Sequence, residues 1–135
     1  MRFVLLLLAV LPAPAVAAPN IGGEWVVADR SATVTIPPCG GSWCGRVARI
    51  LQRSPDWKGN DVNNPDPKLR SRPVIGLLIL TGFRPDAKGL AGGRIYDPKS
   101  GRTYRSMLRI NPDGSLKVSG CIAFICQSQR WTRAR

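Results

Sequence analysis

Four cysteines are the residues of this chain whose type and spacing most plainly permit chemistry. Cys39 and Cys44 flank four residues, and Cys121 and Cys126 flank four more. Three chemistries compete for such a set: structural disulfides, a four-thiolate metal site and thiol redox catalysis. Zinc knuckles mostly hold their thiolates closer together in sequence, and redox pairs generally enclose only two residues. Disulfides therefore fit best. Three pairings of four cysteines are possible on paper, and the repeated spacing selects the local one, Cys39 with Cys44 and Cys121 with Cys126. Each pair is expected to sit at directly opposite strand positions and to close a four-residue hairpin loop, with Trp43 exposed at the tip of the first.

Acid–base chemistry has little to work with. The chain contains no histidine, one glutamate (Glu24) and aspartates placed mainly among turn residues. Asp29, Asp97 and Asp113 read as turn formers, because an aspartate side chain accepts hydrogen bonds from backbone N–H groups two residues on. Gly89 to Gly93 is followed by no helix pattern and is not a phosphate loop; Gly92 and Gly93 read as a strand bend. Asp56, Asp61 and Asp66 stand in a loop that also holds Asn63 and Asn64, but Pro65 and Pro67 break the spacing of a calcium loop. No catalytic residue, metal or cofactor is expected.

The elements that position these residues are strands. No apolar repeat at helical spacing runs through the chain, whereas β-branched residues, short alternating runs and turn residues recur. Eight strands are predicted: Trp25 to Ala28, Ala32 to Ile36, Gly45 to Leu51, Pro73 to Phe83, Gly92 to Tyr96, Thr103 to Ile110, Ser115 to Cys121 and Gln127 to Arg133. Tight turns such as Asn111-Pro112-Asp113-Gly114 make consecutive strands antiparallel neighbours. A meander of eight short strands fits a small up-and-down barrel that closes its own edges, with a β-sandwich as the alternative. Such an interior is either filled by side chains or wide enough for one small ligand. The long polar connection from Gln52 to Arg72 is expected to be a turn-rich lid or flap.

The N-terminus reads as an address. Met1 and Arg2 precede an apolar run from Phe3 to Leu11 and a small-residue segment ending Ala15-Val16-Ala17, the layout of a secretory signal peptide over residues 1–17. The run is too short to span a bilayer. Residues 18–135 then form a single exported domain, and an oxidising compartment agrees with the disulfide reading.

Net charge is +12. Nucleic acid is the usual partner of so basic a chain, but export removes it from that partner, and the aromatic residues do not form a stacking platform. Arg105, Arg109 and Lys117 take the polar parity of two neighbouring predicted strands and are expected to make one outward cationic face for anionic envelope material.

The quoted residues, together with Pro38-Cys39-Gly40, Asp61 with Asn64-Pro65, Leu69-Arg70-Ser71-Arg72-Pro73, Gly93-Arg94-Ile95-Tyr96-Asp97-Pro98 and Gln129-Arg130-Trp131-Thr132-Arg133, resemble the exported bacterial family called domain of unknown function 2147 (DUF2147). The resemblance runs in order over nearly the whole exported part. It implies a single periplasmic domain and carries no catalytic residues. The family pattern has a Trp just before the Gly93 segment, where this chain has Leu90-Ala91. Gly23-Glu24-Trp25, with Arg130 or Arg133 on the last strand, is also similar to the lipocalin and calycin pattern. That similarity implies a barrel seal in which a guanidinium stacks on Trp25.

Two functions follow as expectations. One is a monomeric, non-catalytic carrier whose barrel admits a small amphiphile. The other is a structural or stress-related envelope protein with a filled interior, touching anionic lipid or lipopolysaccharide through its basic surface. An interior pocket of roughly 300 Å³ or more separates the first from the second.

Overall fold

The computed structural model describes residues 9–13 and 20–135. The signal-peptide cleavage site expected after Ala17 lies outside the described residues.

Nine strands form among the described residues, in chain order: β1 (Gly23–Val26), β2 (Ala32–Ile36), β3 (Pro38–Cys39), β4 (Ser42–Ile50), β5 (Leu78–Pro85), β6 (Leu90–Asp97), β7 (Arg102–Ile110), β8 (Leu116–Ile122) and β9 (Ile125–Arg133). Neighbours run β2-β1-β9-β8-β7-β6-β5-β4, all antiparallel, and β2 pairs with β4 to close the ring. The architecture is a closed eight-stranded all-β barrel; the two-residue β3 only extends the hairpin into β4. Closure leaves fewer edges to be protected than an open sheet would.

Alternation builds the interior. On β7 Ser106 and Leu108 are buried between outward Arg105, Met107 and Arg109, and on β8 Leu116 and Val118 are buried on either side of exposed Lys117. The core gathers Trp25, Phe83, Leu80, Leu90, Leu108, Leu116 and Trp131, every one of them at most 2% exposed. Gly93 makes room for one of these, since a Cβ there would stand 2.5 Å from the Phe83 ring. The ladder between β6 and β7 shifts register between Leu90 and Gly93, and Gly92 at φ 72° takes the left-handed conformation of the bulge.

Three sequence expectations are corrected. The apolar run from Pro73 becomes a strand only at Leu78; Val74 to Leu77 is a turn, closed by Leu77 N–H donating to the Val74 carbonyl, with Gly76 at φ 83°. Val74 and Leu77 are apolar because they are buried, not because they are extended. The cysteine loops are tighter than four residues: Ile122 pairs with Ile125 across the second, and Cys39 pairs with Ser42, not Cys44, across the first. Trp43 accordingly lies in β4, half-buried against the core, and not at an exposed tip.

Candidate functional site

The two ends of the barrel are built differently. At one end lie the N-terminal approach to β1, the turns 37–41, 86–89 and 111–115, and the C-terminus. At the other lie the β1–β2 turn, the long connection 51–77, the turn 98–101 and the β8–β9 tip.

The first end is shut. Trp25 is 0% exposed and its indole N–H donates to the Ile21 carbonyl at 2.9 Å. Arg133, its cross-strand partner, places its guanidinium carbon 4.2 Å from the ring centroid and donates to the carbonyls of Gly22 (2.6 Å) and Asn20 (2.9 Å). The cation thus covers the indole and ties down the chain that enters the barrel. Arg130 does not share this place. It stands on the opposite strand parity, across from Lys117, and pairs with Asp113 at 2.7 Å. The Ser115 hydroxyl and then Arg130 hold the Asp113 carboxyl well below its usual range.

The second end is open. A cavity of about 590 Å³ reaches into the barrel there. Val34, Val47, Ile79, Ile95 and Trp131 line its depth; Asp29, Gln52, Asn63, Lys99 and Gln129 line the rim. Four of the five deep residues, Val34, Val47, Ile79 and Ile95, are β-branched wall positions whose short side chains reach less far into the bore than the rings of Phe83 and Trp25 at the shut end. The side wall is incomplete beside the cavity. Among the described residues, β9 pairs with β1 only through Trp25↔Arg133 and Val26↔Thr132, so the earlier residues of β9 have β8 as their sole strand partner there. Gln129 accepts from the Trp131 indole N–H at 3.1 Å and so stands in this opening.

Two ties cross or frame the mouth. Lys99 on the turn 98–101 forms an ion pair with Asp29 on the β1–β2 turn, which lies on the opposite side of the ring. Burial raises the Asp29 pKa, but hydrogen bonds from Lys99 and Ser31 outweigh it and leave the carboxyl below its ordinary value. The Asn63 side chain donates to the carbonyls of Pro98 and Lys99, anchoring the long connection to the same turn. Gly101 permits that approach, since a Cβ there would meet the Asn63 carbonyl oxygen at 1.9 Å.

The connection 51–77 is held by a polar cluster. Asp61, 1% exposed, accepts from the Tyr96 hydroxyl (2.6 Å), the Asn64 amide (2.9 Å) and Arg72 (3.0 Å). A buried carboxylate without such partners would carry a large desolvation cost. Burial, followed by the hydrogen bond to Asp61, pushes the Tyr96 phenol up to about 12. The segment therefore frames the mouth as a docked structure, with Trp57 fixed by its indole N–H on the Asn60 carbonyl. Asp61, Asn64, Arg72 and Tyr96 all stand in segments quoted for the family resemblance, yet no spacing rule joins residues 35 positions apart.

The structure pairs Cys39 with Cys44 and Cys121 with Cys126, at Cα separations of 5.7 and 4.1 Å. The second pair clamps the β8–β9 tip at the open end; the first lies at the shut end. Arg105, Arg109 and Lys117 stand on one outward face, because Arg109 is the cross-strand partner of Lys117 and Arg105 of Cys121. The register adds two cations to this face, Arg94 beside Arg105 and, beside Lys117, Arg130, which the sequence had offered for the barrel seal. Asp29, Asp97 and Asp113 each accept from a backbone N–H two residues on, as turn formers do.

A solved structure described as "Protein HP1028 from the human pathogen Helicobacter pylori belongs to the lipocalin family" superposes with a TM-score of 0.74 at 20% identity, over 86% of this chain and 84% of that one. The likeness is one of fold: a lipocalin-like barrel. No curated protein matches the sequence. The family model described as "Uncharacterized protein conserved in bacteria (DUF2147)" matches residues 23–133, the whole barrel from β1 to the end of β9, and the chain belongs to that family.

Proposed function

We propose that this protein binds a small amphiphile by inserting its apolar body into the open end of the barrel and leaving its polar head at the rim. The observation that carries the reading is the cavity. At about 590 Å³ it is well above the volume at which a filled core is excluded and within the range of small-molecule sites. Its chemistry is split in the way an amphiphile requires, with Val34, Val47 and Ile95 in the depth and Asp29, Lys99 and Gln129 at the mouth. Binding, not catalysis, is the activity proposed. The lipocalin-like fold supports a small-ligand role, and two disulfides suit the periplasm or the exterior as its place of work.

Titration with an environment-sensitive fluorescent fatty acid tests the proposal. Saturable enhancement, displaced by unlabelled dodecanoate, is expected. Ala32→Phe places a ring in the cavity wall and should weaken binding at least tenfold while the barrel stays folded. Equal binding by the variant would move the ligand out of the barrel.

The alternative, an envelope protein acting through its basic surface, keeps one supporting observation. Five cations, Arg94, Arg105, Arg109, Lys117 and Arg130, share the outward face of β6–β9. Its other requirement, a filled interior, is met at the shut end, and the cavity at the open end is what favours the amphiphile reading.

A further inference from the structure

The seven large apolar side chains exposed within the described barrel are Leu51, Val62, Leu69, Ile75, Ile122, Phe124 and Ile125. All belong to the connection 51–77 or to the β8–β9 hairpin tip, residues 122–125, and both emerge at the open end. The hairpin tip concentrates them: Ile122 is 60% exposed, Ile125 75% and Phe124 102%. The shape of that tip is fixed. Ile122 and Ile125 pair across it, Ala123 takes a left-handed φ of 50°, and the Cys121–Cys126 disulfide lies immediately behind.

Cations stand behind the apolar cap. Arg105 donates to the Ala123 carbonyl, and Arg94, Arg105 and the clamped cysteines form one cross-strand row on the outer face. The Arg109–Lys117–Arg130 row follows on the same face, where Asp113 answers only Arg130. An apolar cap backed by cations matches the interface of an anionic bilayer, apolar below the headgroups and negative at them.

We propose that the β8–β9 tip docks the protein on anionic phospholipid bilayers, with Phe124, Ile122 and Ile125 entering the interface and Arg94 and Arg105 meeting the headgroups. A second copy of the chain fits this surface poorly. A cap of three side chains is far smaller than the roughly 800 Å² per partner of a stable association, and two chains of net charge +12 repel. Docking by this tip sets the open mouth and the unpaired flank of β9 next to the membrane. The surface lies outside the cavity, so the inference stands or falls separately from the amphiphile reading.

Co-sedimentation of the purified protein with phosphatidylethanolamine vesicles containing phosphatidylglycerol is the test, against vesicles of phosphatidylcholine alone. Binding to the anionic vesicles, weakened by salt, is expected. Phe124→Asp should reduce it at least tenfold, and Arg94→Ala and Arg105→Ala each about fivefold. Near-ultraviolet circular dichroism checks that each variant keeps its fold. In Phe124→Trp, brominated lipids should quench emission beyond that of the natural tryptophans. Absence of binding at low salt, equal binding by Phe124→Asp, or unquenched emission from Phe124→Trp would overturn the proposal. A dimer abolished by Phe124→Asp, with vesicle binding intact, would assign the tip to self-association instead.

Discussion

The shut end and the open end of this barrel are made from the same eight strands, and they differ in what the strands are asked to hold. At the shut end Trp25, Phe83, Leu108 and Leu116 fill the bore, and Arg133 lies over the indole and binds the incoming backbone. At the open end valines and isoleucines line a cavity, the wall between β9 and β1 is incomplete, and the exposed apolar residues gather. The bore is filled where the rings of Trp25 and Phe83 meet the leucines, and space for a ligand is left where short β-branched side chains line the wall and the polar ties lie at the rim. The difference shows how one sheet serves both needs without a second domain.

The largest expected effect lies at the shut end. Trp25→Ala should cost about 3–5 kcal/mol in urea unfolding, the range for truncating a large buried aromatic. Phe124→Ala at the open end should change stability by about 0.5 kcal/mol or less, as an exposed side chain does. Similar losses at both would erase the contrast. Next comes the open-end clamp: Cys121→Ser with Cys126→Ser should lower stability by about 2 kcal/mol, the worth of a short closed ring, and leave the barrel folded. Loss of the fold would show that the tip supports the whole sheet.

Tyr96→Phe removes one of three donors from buried Asp61 and should cost about 1.5 kcal/mol. Its pH dependence sharpens the point. The phenol is raised from 10.0 to about 12 in the fold, so its contribution is complete below pH 10 and is lost as pH rises toward 12. Natural protein should therefore lose stability faster than Tyr96→Phe over that window, read from urea midpoints at successive pH values. Parallel curves would sever the phenol from the Asp61 cluster. The smallest effect separates the two arginines of the last strand. Arg130→Ala breaks only an exposed ion pair and should stay within about 0.5 kcal/mol, whereas Arg133→Ala should cost about 2 kcal/mol.

Much of the barrel was legible because its signals are local. Alternation placed Arg105, Arg109 and Lys117 outward, and Asn111 to Gly114 announced its turn. The repeated spacing of the cysteines chose the pairing found in the structure. What was hidden depends on register and on distant partners. Arg130 and Arg133 were equal candidates until the ladder put Arg133 opposite Trp25. Pro73 to Phe83 looked like one strand because burial in a turn and burial in a strand leave the same apolar run. The Asp61–Tyr96 bond and the Asp29–Lys99 ion pair join loops far apart in sequence, and the cavity is a volume that no single residue encodes.

The central claim is that the open end receives the ligand and the shut end does not. The indole N–H signals of the four tryptophans test it in one titration with dodecanoate, followed by nitrogen–proton correlation spectra. Trp57 and Trp131 line the cavity, while Trp25 and Trp43 do not. The account predicts saturable shifts of Trp57 and Trp131 with Trp25 and Trp43 stationary. Shifts led by Trp25, or no shift at any indole, would contradict it.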